Sequence, residues 1–141
     1  MKYLRLQDQI DTSRDGSATE LSPLQFAGTW INTNTETPGI VRVTCSVESN
    51  ALRVSFEGNG STEPVDWGEA TAALLCSATL HGGPGMSFIA SFDLGFKKAQ
   101  AGANLNQDLL VIATYHSFQN RNSAGRSNYY SREFFHRPAR G

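Results

Sequence analysis

Apolar and polar residues alternate with period two along most of the chain, as expected of strands that bury one face. Over residues 40–47, Val41, Val43, Cys45 and Val47 share one face, and Arg42, Thr44 and Ser46 share the other. Residues 51–57 place Leu52, Val54 and Phe56 together. The clearest segment is 86–96, where Met86, Phe88, Ala90, Phe92, Leu94 and Phe96 alternate with Ser87, Ile89, Ser91, Asp93 and Gly95. Residues 108–118 begin apolar on both faces, which suits a central strand. Residues 128–136 put Tyr130, Arg132, Phe134 and His136 on one face. Residues 27–33 and 66–79 complete seven predicted strands. The latter has a small face of Gly68, Ala70, Ala72, Leu74, Cys76 and Ala78; a helix over 69–78 competes there, because Glu and Ala favour helix. The inward set expected from this pattern is Val41, Val43, Leu52, Val54, Phe56, Phe88, Phe92 and Leu94.

Turn-forming residues separate these segments. Asn34 to Gly39, Glu48 to Asn50, Gly58 to Pro64, His81 to Gly85 and Gln119 to Ser127 read as connections. Lys97 to Asn106 reads as a loop around Gly102. Ser22 to Phe26 suits one short helical turn, with Ser and Pro at its start. Residues 1–22 read as a flexible polar arm, 23–137 as a single β-barrel domain and 138–141 as a tail. Sequential strands with short connections favour a meander, and a meander of this length closes to remove its edges. The expected fold is all-β: an antiparallel up-and-down barrel of seven strands, or eight if one bends. An open sandwich is the competing architecture.

Composition narrows the function. The chain has 141 residues and a net charge of −1, so nothing global attracts nucleic acid or an anionic membrane. Charge is uneven: residues 1–70 hold ten acids and five bases, and 71–141 hold three acids and seven bases. The basic half suggests an anion site near Arg121, Arg126, Arg132, Arg137 and Arg140, against a plain reading of differently charged faces. No secretory pattern and no membrane-length apolar run is present, so a cytoplasmic location is expected. Cys45 and Cys76 sit among apolar neighbours without metal-ligand spacing, which suits buried thiols; whether they pair stays open.

Candidate chemistry is sparse. Tyr115 and His116 are neighbours on one strand, so only one can enter a barrel. His116 falls with Leu110 and Ile112; Tyr115 falls with Leu109, Val111 and Ala113. Arg132, flanked by aromatics, suits either a barrel plug or a carboxylate clamp. No Gly-x-Ser-x-Gly elbow occurs. Glu63, Asp66 and Glu69 read as solvated, and Gly82 to Gly85 lacks the Lys of a phosphate loop. No metal or cofactor is called for.

The stretch Phe26-Ala27-Gly28-Thr29-Trp30-Ile31-Asn32 resembles the first strand of the calycins, which include lipocalins, fatty-acid-binding proteins and avidins. The resemblance implies a barrel closed by Trp30, with an Arg from the last strand packed across it: Arg132, or alternatively Arg137. Gly-Thr-Trp-x-Asn also resembles the avidin opening, which implies a ligand contact for Asn32. Glu36 stands where that family has Ser, and Trp67 is the only other Trp, so biotin is not implied. The chain further resembles a bacterial pattern of Gly-Thr-Trp-x-Asn followed by Asp-Trp-Gly, to which no activity attaches. The expected function is binding of a small, largely apolar molecule inside the barrel, with Asn32, Tyr115, His116 and Tyr130 as contacts. The alternatives are a cofactor-free isomerase or cyclase using His116 or Tyr115 as acid–base, and a structural module that self-associates into a homo-oligomer.

Overall fold

The computed structural model describes residues 23–76, 86–118 and 127–138. The expected arm at 1–22, the turn at His81 to Gly85, nearly all of the loop at 119–127 and most of the tail lie outside them. A 3-10 turn, Pro23–Phe26, leads into eight strands. These are β1 (Gly28–Asn32), β2 (Ile40–Glu48), β3 (Ala51–Gly58), β4 (Val65–Cys76), β5 (Met86–Asp93), β6 (Lys97–Asn106), β7 (Leu109–Phe118) and β8 (Tyr129–His136). Each pairs antiparallel with the next, and β8 returns to β1 to close the barrel. Strand, not helix, holds over 69–76.

The extra strand is β6, where a loop was expected. Ala99, Ala101 and Ala103 are buried and alternate with Lys98, Gln100, Gly102 and Asn104. Alanine and glycine are poor strand formers, so the pattern is weak as propensity. Packing decides instead. Phe88 lies opposite Ala103, and Phe92 opposite Ala99, so large residues of β5 meet small ones of β6. A two-residue turn at Gln107 and Asp108, both with positive φ, then hands the chain to β7; Ser49 and Asn50 do the same between β2 and β3.

Two bulges correct the expected faces. A register shift between Ile40 and Arg42 turns Ile40 into the core and leaves Val41 half-buried. In β4, Trp67 and Gly68 both oppose Phe56 between the pairs Ser55–Glu69 and Glu57–Asp66. Gly68 has φ +92, and the bulge turns Trp67 inward where Gly68 was expected. Val43, Leu52, Val54, Phe56, Phe88 and Phe92 are buried as expected, and Leu94 packs half-buried against them. Outward positions carry Arg42, Arg53, Glu57, Glu69 and Lys98, the reverse of a lipid-facing apolar band. Among the described residues no helix is long and apolar enough to cross a membrane.

One end of the barrel is sealed. Trp30 is 1% exposed, and its Nε1 donates to the Phe26 carbonyl at 2.9 Å. Phe26 meets Phe88 edge to face at 5.1 Å. The guanidinium over Trp30 belongs to Arg137, 4.1 Å from the ring centroid, and not to Arg132. Arg137 also donates to the carbonyls of Ala27 (2.6 Å) and Gln25 (2.8 Å), which closes the 3-10 turn. Odd positions of β8 face inward, so Arg137 continues the line of Phe135, whereas Arg132 lies outside over Phe134 at 5.5 Å. Gly28 permits the seal: its φ is +120, and a Cβ there would stand 2.8 Å from Arg137 Nη1. Opposite Gly28 on β2, Cys45 is a free buried thiol; burial pushes its pKa up to about 12 despite an opposing pull from Arg137.

Candidate functional site

Among the described residues the other end of the barrel is open, and β1 is short there. β1 pairs with β8 only at Ile31–His136 and Asn32–Phe135, followed by one bond from Thr33 N to Phe134 O at 2.8 Å. The chain then peels away through residues 33–39 before β2 begins. A cleft of about 380 Å³ lies between that connection and β8. This is within the usual range for small-molecule sites.

Glu133 fixes one wall. Its carboxylate accepts from Asn32 Nδ2 (2.6 Å), Thr37 Oγ1 (2.7 Å) and the Ile40 amide (3.3 Å). Asn32 Nδ2 also donates to Ile40 O, its Oδ1 accepts from Asn34 N, and Thr37 Oγ1 accepts from Gly39 N. Gly39 is required there, because a Cβ would collide with the Glu133 carboxylate. Asn32 therefore lines the cleft with its polar atoms already engaged.

The floor is His116. It is 5% exposed and stacks on Tyr129, its cross-strand partner, with ring centroids 4.2 Å apart. Trp67 meets it edge-on at 6.1 Å. The Asp-Trp-Gly bulge supplies that ring, and Gly58 makes room for it: a Cβ there would lie 2.5 Å from Trp67 Nε1. Lys97 Nζ sits 5.0 Å from the Trp67 ring centroid. Burial first, and the Lys97 charge second, lower the His116 pKa to about 4, so the ring is neutral near pH 7. His116 Nε2 lies 3.3 Å from Ser131 Oγ. Its Nδ1 and the Thr114 Oγ1, two residues back on the same face, are buried without a hydrogen-bond partner among the described residues.

His116 enters the barrel, as its shared face with Leu110 and Ile112 required. Tyr115 and Tyr130 do not. They pair on the outer surface, 59% and 71% exposed, with ring centroids 6.3 Å apart. Of the arginines expected to gather, Arg137 is used in the seal, Arg132 stands on the cleft rim, and Arg121, Arg126 and Arg140 lie outside the described residues. Sequence reasoning did not find Thr37, Trp67, Thr114, Tyr129, Ser131 or Glu133. Parity along β8 was the available signal, since the run Tyr129, Ser131, Glu133 and Phe135 leads directly to Arg137. Among the described residues no cluster of His, Cys, Asp and Glu suits a metal ion.

Compared with family models, with curated proteins and with solved structures, the chain matches none.

Proposed function

We propose that the protein binds a small molecule, with an apolar body and at least one hydrogen-bonding group, in the cleft at the open end. The observation that carries this reading is a buried atom without a hydrogen-bond partner among the described residues, Nδ1 of the cleft-lining His116, with a second, Thr114 Oγ1, two residues back on the same inner face. Leaving such an atom unpaired costs about 1–3 kcal/mol. A ligand that supplies a partner recovers that cost and gains direction from it. Tyr129 and Phe134 offer apolar surface on which its body rests. The sealed end supports the same reading: Gly28, Trp30 and Arg137 resemble the closure of calycin barrels, which hold one ligand at the opposite mouth. A reducing, cytoplasmic setting suits the unpaired Cys45.

The catalytic alternative has less to stand on. Tyr115 lies outside, and His116 is a weak base with a pKa of about 4. Its Nδ1 has no acid to orient it, so the contact with Ser131 lacks the third member of a nucleophilic triad.

A fragment screen by thermal shift tests the proposal. A ligand at about 100 times its Kd stabilises the fold by roughly 2.7 kcal/mol. The expected binders shift the His116 and Tyr129 ring signals in NMR spectra. Binders that stabilise the fold without moving those signals, or a screen that yields none, would sink it.

A further inference from the structure

The cleft is also a gap in the sheet, and β8 presents an unused backbone edge to it. Along an antiparallel strand, alternate residues direct their N–H and C=O to one side. Phe134 O bonds Thr33 on the β1 side, so Arg132 and Tyr130 direct their backbone groups the same way. The chain has left that position by residue 34, and among the described residues no hydrogen bond reaches those groups. Beside this edge stand three outward side chains in a row: Tyr130, Arg132 and Phe134. Tyr130 is 71% exposed and Phe134 39% exposed, and Arg132 has no ion pair among the described residues. The inward neighbour, Ser131, touches His116.

We propose that the ligand of this cleft is a short extended peptide stretch that adds to the free edge of β8, antiparallel, with an acidic residue opposite Arg132. The proposal rests on the cleft reading above and names its ligand class. Paired residues on adjacent strands share a face. An acid opposite Arg132 therefore points outward beside the guanidinium. The next residue, opposite Ser131, points inward to Ser131 and His116, where a hydroxyl finds partners. The residue after that lies over Tyr130, where an apolar side chain covers the exposed ring. Three residues span about 10 Å of strand, which matches the edge left between Glu133 and Tyr129. Main-chain bonds supply affinity and the alternating side chains supply selectivity, as in other strand additions.

The probe is the blocked peptide acetyl-Thr-Glu-Thr-Val-amide, followed by amide hydrogen exchange on the full chain. In the free protein the Tyr130 and Arg132 amides exchange fast. On adding the peptide they slow by about tenfold or more, while Ser131 and Glu133, paired to β7, hold their rates. Methylating the glutamate nitrogen of the peptide abolishes the effect, because that N–H faces β8. Replacing its glutamate by glutamine, or Arg132→Met in the protein, weakens binding up to about fivefold. A methylated peptide that still protects overturns the proposal. So does protection of these amides in the free protein, which would mean that the chain's own residues 1–22 or a second copy fills the edge. Fragments that shift His116, with no tetrapeptide of a position-scanned library protecting the edge, would leave the cleft reading standing and overturn this one.

Discussion

At the sealed end, Phe26, Trp30 and Arg137 pair polar groups with one another and with nearby carbonyls. The indole N–H meets the Phe26 carbonyl, and the guanidinium meets two carbonyls and a ring face. At the open end, the same barrel buries His116 and Thr114 with atoms left over, and it ends β1 early so that β8 stands half-paired. One end follows the usual rule that buried polar groups are satisfied, and the other departs from it. Departures of this kind concentrate where function costs stability. The lesson is local: one closed sheet carries a polar-paired plug at one end and, at the other, buried polar atoms without partners among the described residues.

The largest effect expected from this contrast is at Trp30. Trp30→Ala should cost about 3–5 kcal/mol in denaturant titration, as for other large core truncations. Trp67→Ala, at the mouth and only half-buried, should cost about 2 kcal/mol, in proportion to the area it hides. Equal losses would break the comparison, because the mouth would then be as structural as the plug.

The second test uses pH. His116 titrates at about 4 in the fold, against about 6.5 in the unfolded chain. Between those values the unfolded state binds more protons, so stability rises with pH. Its contribution is complete above about pH 6.5 and is lost as pH falls toward 4, by up to about 3 kcal/mol. His116→Gln should flatten this part of the stability–pH curve while leaving the acid limb set by carboxylates. An unchanged slope in the variant would mean that the ring is not held neutral by its surroundings.

These two residues also show how far the sequence could be read. Trp30 was legible through the resemblance of Gly28-Thr29-Trp30 to the first strand of calycin barrels; the positive φ of Gly28 became visible only in the fold. His116 was legible by parity with Leu110 and Ile112. The plug arginine was misassigned to Arg132 because the aromatic face of β8 resembles a core face, yet Tyr130 and Phe134 are the outer residues. β6 was read as a loop because alanines carry no strand signal until Phe88 and Phe92 stand beside them. The Glu133 latch was invisible for a related reason. It joins Asn32, Thr37 and Ile40 across roughly a hundred residues, and only the closure of β8 on β1 creates it.

That latch gives the third test. Glu133→Gln keeps the size of the side chain but turns an amide toward three donors that need acceptors. The expected cost is about 1–3 kcal/mol, read as a lower urea midpoint with an unchanged slope. The Ile40 amide should also exchange faster, since its acceptor is weakened. Full stability in this variant would show that the wall of the cleft is held by the backbone turn alone.

The smallest effect separates the two arginines. Arg137→Met should cost about 1 kcal/mol, because the cation–π contact and two carbonyl bonds lie at a partly solvated rim. Arg132→Met should stay within about 0.5 kcal/mol, as for surface changes that break no buried contact. The difference is small but its direction is diagnostic. Among the described residues Arg132 interacts only with Phe134, on the outer face, so stability should be nearly blind to it while the proposed peptide binding should not be. Arg137 should show the opposite pattern, lowering stability without touching the cleft. If Arg132→Met proved the more destabilising, the plug would have to be reassigned, and the assignment of one end to stability and the other to binding would fall with it.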